Sequence, residues 1–318
     1  MNKILKSVLS ASGIAAGGFV LSYGFSCLSV ELLFNRNWVL PKKVNYSVAN
    51  CDSERLENEV DKNVRWVESY GYENHSIIND SGQKLAGRLL RAEKESDVYV
   101  FGVHGYRGNG KRLGGMARHY IEKGYNVFLP DLVASGESEG TYCTVGRQET
   151  KDCIKWLHYM TDNFGKDIKI ILHGVSLGAA AVMLMCSDES LPQNVKMAVE
   201  DSGFSSITKL FRYKIERNTV KSELLIKSVN LATKRRIGFD FYEVNPIESV
   251  RQTKVPILFI HGAEDGLVPL FMANELFDAC SHKNKEILII DGANHVQNLM
   301  VGGERYFSAL DGFIEKNI

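Results

Sequence analysis

Apolar runs rich in β-branched residues recur along the chain at residues 98–103, 126–130, 168–173, 197–200, 255–260 and 286–290. Each is followed by turn residues and then by a helical pattern. The runs are continuous rather than alternating, as expected of strands buried on both faces of a parallel sheet. Stretches such as 147–162 and 177–186 are long enough for crossover helices. The alternation predicts an α/β fold with a doubly wound, mostly parallel sheet. Two weaker strand candidates, 75–78 and 86–90, predict an N-terminal antiparallel hairpin. No internal repeat or low-complexity linker interrupts the pattern.

Two stretches break the rhythm. Residues 205–238 hold no obvious strand and read as amphipathic helices, with Ile207, Leu210, Phe211 and Ile215 on one face. Lying between two predicted strands, the stretch reads as an inserted helical cap. The second stretch, residues 7–30, is 24 consecutive positions without a charge, preceded by Lys3 and Lys6. That length suffices to cross a bilayer, which takes about 20 apolar residues. It carries no convincing cleavage site, so an uncleaved single-pass anchor is expected over residues 1–34, placing the protein at the cell membrane. Lys3, Lys6 and the α-amine on one side nearly balance Arg36, Lys42 and Lys43 on the other. The usual single-anchor arrangement favours an extracytoplasmic domain, whereas five thiols beyond the span, an odd number, pull inward.

Charge then narrows the function. The 318 residues carry 38 Lys+Arg against 38 Asp+Glu. This balance argues against a nucleic-acid partner, which normally selects a basic excess. It hides a division, since residues 205–238 hold nine basic and two acidic side chains. Cys27, Cys51, Cys143, Cys153, Cys186 and Cys280 are too few for a disulfide scaffold and lack zinc-ligand spacing, so no metal is expected.

The candidate chemistry lies in two G-x-S-x-G matches, centred on Ser176 and Ser138. A nucleophile elbow needs a strand entering the turn and a helix leaving it, because the strained turn holds the hydroxyl clear of the sheet. Run 168–173 leads into Gly174-Val175-Ser176-Leu177-Gly178, and a small-residue helical stretch follows. Ser138 lies eight positions past its strand, flanked by Glu137 and Glu139, which would oppose charge building on an oxyanion. Ser176 is therefore the expected nucleophile.

Serine needs a base, and the base an orienting acid. After run 255–260 comes Asp265; after run 286–290 comes His295. Glu264 and Asp201 are the alternative acids. His104, His173 and His261 sit at strand ends before glycine and read as structural; His75, His119, His158 and His282 read as surface or satisfied core residues. The backbone N–H of Leu177 is one expected oxyanion donor, and that of Tyr106, in the glycine-rich loop after run 98–103, the other. That loop lacks the spacing of a phosphate-binding motif.

From about Val98 onward the H-G-Y-R-G loop, the G-V-S-L-G elbow, the G-A-E-D-G-L-V-P loop and the G-A-N-H turn resemble the α/β-hydrolase superfamily, in that order. The segment from Pro130 to Gly140 looks like the loop after the family's fourth strand. Within the superfamily the chain is most similar to membrane-anchored hydrolases related to serine aminopeptidases and prolyl-oligopeptidase catalytic domains. The family often has an Arg or His where Leu132-Val133-Ala134 stand here. The resemblance implies a hydrolase domain over residues 35–318 with a cap at about 205–246. It further implies a cofactor-free serine hydrolase acting on a small ester or thioester substrate. A short peptide or amide is the alternative, and a membrane-tethered pseudoenzyme a third reading.

Overall fold

The computed structural model describes residues 24–38, 53–216 and 222–318. Its strands are β1 (Glu73–Ile78), β2 (Lys84–Leu90), β3 (Val98–Val103), β4 (Asn126–Pro130), β5 (Lys169–Val175), β6 (Val195–Asp201), β7 (Ile257–Gly262) and β8 (Lys285–Ile290). They form one sheet in the order β1-β2-β4-β3-β5-β6-β7-β8. β2 runs antiparallel to both β1 and β4, and every other pairing is parallel. This is the α/β-hydrolase architecture, with the expected N-terminal hairpin. Strands β5, β6 and β7 extend past their apolar runs because ladder pairing continues, as in Gly174 opposite Glu200 and Val175 opposite Asp201.

All positions of β3, β4 and β7 are buried, which explains their uninterrupted hydrophobicity. One face packs under the helices Arg147–Asn163 and Leu177–Met185, through Trp156, Leu157, Ala180 and Met183. The other packs under Gly114–Glu122 and Asn298–Glu315, through Met116, Tyr120, Leu310 and Phe313. The helix Ser53–Tyr70, which the hydrophobic pattern does not announce, lies against the Gly114 turn; a Cβ on Gly114 would stand 2.3 Å from the Asn63 carbonyl oxygen.

Between β6 and β7 lie the helices Ile207–Glu216, Ser222–Ile237 and Pro246–Val250. Ile207 and Leu210 are buried, and Phe211 packs on Phe241 with centroids 5.3 Å apart. Much of the insert's positive charge is matched by carboxylates. Lys209 pairs with Glu275, Arg212 and Lys227 with Glu223, Lys234 with Asp240, and Arg236 with Glu31. The charge division of the sequence is thus partly closed by ion pairs in the fold.

Most of the uncharged run 7–30 lies outside the described residues, and no described helix is long and apolar enough to cross a membrane. Its described end belongs to a helix over residues 24–34 that packs on the domain, with Val30 and Phe34 buried. The helix thus ends at the expected boundary, residue 34. Five described cysteines are free thiols, four of them buried.

Candidate active site

β5 delivers Ser176 onto the helix Leu177–Met185 through a backbone at φ 57°, ψ −116°. Positive φ is costly for a residue with a Cβ, so the surroundings must hold it. They do so by close approach. A Cβ on Gly174 would lie 2.2 Å from the Gly178 carbonyl oxygen, and one on Gly178 would lie 2.0 Å from that of Val103. The Ser176 N–H donates to the Asp201 carbonyl at 2.8 Å, fixing the turn to β6. Both glycines of the motif are steric requirements of the elbow.

The turns after β7 and β8 bring the other two side chains to it. Ser176 Oγ lies 2.9 Å from His295 Nε2, and His295 Nδ1 lies 2.7 Å from Asp265 Oδ2. The carboxylate fixes the tautomer by accepting from Nδ1–H, leaving Nε2 to accept the serine proton. Asp265 Oδ1 is held by the backbone N–H groups of Leu267 at 2.8 Å and Val268 at 2.7 Å. Burial pushes this carboxyl up, but His295, His261 and the Val268 N–H outweigh it and hold the group below the usual carboxylate range. The Asp265 side chain is inaccessible to solvent, whereas Ser176 is half-buried and reachable.

The glycine-rich loop after β3 lies beside the elbow. A Cβ on Gly105 would sit 3.3 Å from Ser176 Cβ, so Tyr106 follows directly on a residue touching the serine. Gly108 N–H donates to Gly105 O at 3.0 Å, closing a tight turn with Tyr106 and Arg107 at its centre. Leu177 is the first residue of its helix, where backbone N–H groups have no intrahelical acceptor.

The remaining candidates lie elsewhere. Glu264 is exposed. Asp201 is buried and bound to Asn298 at 2.7 Å, Ser202 at 2.9 Å and Tyr306 at 3.0 Å. Ser138 is a structural peg: its Oγ donates to Asp131 O at 2.6 Å and accepts from Ala86 N–H at 2.9 Å. His104 bridges Gly105 O and Leu132 N–H, and His173 lies between Tyr120 and Tyr306. Burial lowers these two histidines to about 4 and about 3, so both are neutral. His261 binds Val268 O at 2.9 Å but also lies 3.5 Å from Asp265 Oδ2, which spacing alone did not reveal. Asn294, whose place in the G-A-N-H turn does not announce a role, accepts at Oδ1 from His295 N–H at 2.8 Å and Gly266 N–H at 3.0 Å. The insert reaches the same loop, since Lys214 Nζ donates to Gly266 O at 2.5 Å.

Comparison with known proteins bears on this site. A model of the prolyl oligopeptidase family matches residues 116–317. The uncharacterized protein YqkD of Bacillus subtilis is 22% identical over 201 residues, covering 62% of this chain and 64% of its own length. An uncharacterized membrane protein of Saccharomyces cerevisiae is 26% identical over 196 residues, covering 61% and 62%. The chain thus spans less than two thirds of the length of these curated relatives. In structure it is similar to the Pyrococcus furiosus esterase Pf2001, with a TM-score of 0.62 at 23% identity, covering 78% of this chain and 94% of that one. That likeness speaks to the fold. The family match runs over more than half of the chain and takes in the elbow, the acid loop and the histidine turn, so the protein belongs to the prolyl oligopeptidase family within the α/β-hydrolase fold.

Proposed function

We propose that the protein is a serine hydrolase cleaving a carboxylic ester or thioester. Ser176 attacks the acyl carbonyl while His295 Nε2 takes its proton, then returns it to the leaving group. Asp265 orients His295 and stabilises the imidazolium. The backbone N–H groups of Tyr106 and Leu177 receive the oxyanion, and water releases the acid from the acyl-enzyme. This scheme asks for no metal or cofactor. The observation that carries it is the unbroken relay from Ser176 Oγ to His295 at 2.9 Å and on to a buried Asp265 at 2.7 Å. The same relay speaks against a pseudoenzyme. Similarity to an esterase favours the ester, and the prolyl oligopeptidase family supports a peptide or amide substrate as the second reading. The insert between β6 and β7 serves as a cap, in keeping with its contact to the acid loop.

A fluorophosphonate probe tests the assignment, because it phosphonylates only an activated serine. Wild type and Ser138→Ala should label, and Ser176→Ala should not. Continued labelling of Ser176→Ala would sink the reading. A panel of p-nitrophenyl esters against aminoacyl-anilides separates the two substrate classes.

We propose a single-pass membrane tether within the expected anchor 1–34, formed by the part of the uncharged run that precedes the packed helix; the usual single-anchor arrangement then puts the domain outside the cytoplasm. The yeast relative described as a membrane protein is in keeping with it. Carbonate extraction of membranes and protease accessibility of the domain test the tether and its side; release by carbonate overturns the tether.

A further inference from the structure

The helix over residues 24–34 ends against the turn that carries Tyr106. The last carbonyls of a helix lack intrahelical donors and must find them elsewhere. Here the domain supplies them. Leu32 O accepts from Arg107 Nη2 at 2.9 Å, Leu33 O from the Tyr106 hydroxyl, Phe34 O from Cys143 N–H at 2.9 Å, and Asn35 O from Arg107 Nη2 at 3.3 Å. Both central side chains of the Gly105–Gly108 turn are therefore fastened to one helix end. A cation there also complements the negative end of the helix dipole.

The backbone of the turn explains why such fastening matters. Arg107 has φ 54°, at the third position of a four-residue turn that ordinarily selects glycine when φ is positive. A side chain at this position is strained, yet the residue is an arginine whose guanidinium reaches the helix and lies 5.1 Å over the Tyr106 ring. The helix in turn is fixed from its other side. Phe34 is buried between Phe239 and Phe241, each 5.7 Å away, and Ser26 Oγ lies 2.7 Å from Ser228 Oγ in the insert. Arg36 adds bonds to Ser138 O at 2.6 Å and Gly136 O at 2.9 Å.

We infer that the segment 24–36 is a working part of the active site, and that Arg107 is a positioning residue that aims the Tyr106 N–H at the oxyanion. The inference rests on the serine-hydrolase reading above. It assigns the end of the uncharged run and the residues that follow it a part in rate rather than in tethering alone.

The test uses full-length protein and a p-nitrophenyl ester, with kcat, KM, fluorophosphonate labelling rate and melting temperature measured together. Arg107→Gly is the informative variant, because it relieves the positive φ while removing the hook. It should lower kcat and labelling rate by about tenfold to a hundredfold, with KM within about twofold of wild type. Arg107→Lys, which can still donate to a helix carbonyl, should recover part of that loss. Tyr106→Phe keeps the ring and the N–H, removes one hydroxyl and should lower kcat severalfold, which keeps the test alive if Arg107→Gly fails to fold. Wild-type kcat and labelling in Arg107→Gly, or a fall in melting temperature alone, overturns the inference. If Ser176→Ala still turns over ester, the serine reading has failed instead; if Ser176→Ala is inert and Arg107→Gly is normal, only the positioning role falls.

Discussion

The Asn294 side chain accepts the backbone N–H of Gly266 at 3.0 Å, one position past the carboxylate that faces His295. The same oxygen accepts the N–H of His295 at 2.8 Å, so one amide oxygen spans the acid loop and the histidine turn. These loops follow β7 and β8, and this side chain helps set their separation at the site.

Asn294→Ala leaves two backbone donors without that acceptor and loosens the Asp265–His295 distance. A misplacement of about 1 Å in a catalytic group can cost about a hundredfold in rate. We expect kcat to fall at least tenfold with KM nearly unchanged, read by steady-state ester hydrolysis. An unaltered kcat would show that the two loops hold their spacing without it.

Asp265→Asn tests the tautomer argument. Oδ1 could still accept from Leu267 and Val268, so the loop should keep its shape. An amide facing Nδ1 favours the wrong histidine tautomer, an effect worth about 10⁴ in kcat in the serine-protease triad. We expect a loss of that order with little change in melting temperature; a loss below tenfold would remove Asp265 from its role.

Sequence legibility followed burial and chain order. β3 and β4 were readable because every position is buried, and Ser176, Asp265 and His295 because each follows a strand. The helix Ser53–Tyr70 was not, since Val67 is its one fully buried apolar residue. Residues 24–34 fit two environments for the opposite reason. Val30 and Phe34 face the domain while Phe25 and Leu28 are exposed, so the helix is apolar on both sides and resembles the end of a membrane span. Hydropathy cannot distinguish an apolar face buried in protein from one buried in lipid. The approach of His261 to Asp265 depends on a loop doubling back, which spacing does not encode.

Arg88 and Asp131 form a buried ion pair at 3.0 Å, both side chains almost wholly inaccessible. Asp131 also accepts from Gly110 N–H and Glu137 N–H, each at 2.8 Å. Asp131→Ala strands a buried guanidinium and two amides, leaving it the surface carboxylate of Glu137. Breaking a buried pair from one side costs about 3–5 kcal/mol. Urea unfolding should show a loss in that range, and a change under about 1 kcal/mol would mean that Glu137 compensates.

Glu200 is fully buried at the end of β6, its Oε2 accepting Gly203 N–H at 2.8 Å and its Oε1 unpartnered among the described residues. Burial raises this carboxyl to about 8; the Gly203 N–H opposes the shift, and the charges of Asp201 and Asp265 add to it. The sign follows from linkage. With its folded pKa above the unfolded value, the native state holds a proton that the unfolded chain has released. This group's contribution to stability therefore declines as pH rises from the unfolded value toward about 8, at up to ~1.4 kcal/mol per pH unit. Glu200→Gln is neutral at every pH and lacks that slope. Urea midpoints for the two proteins should diverge between about pH 5 and about pH 8, the variant gaining on wild type as pH rises. Parallel curves would mean that Glu200 is ionised in the fold, with a partner for Oε1 that the burial argument does not supply.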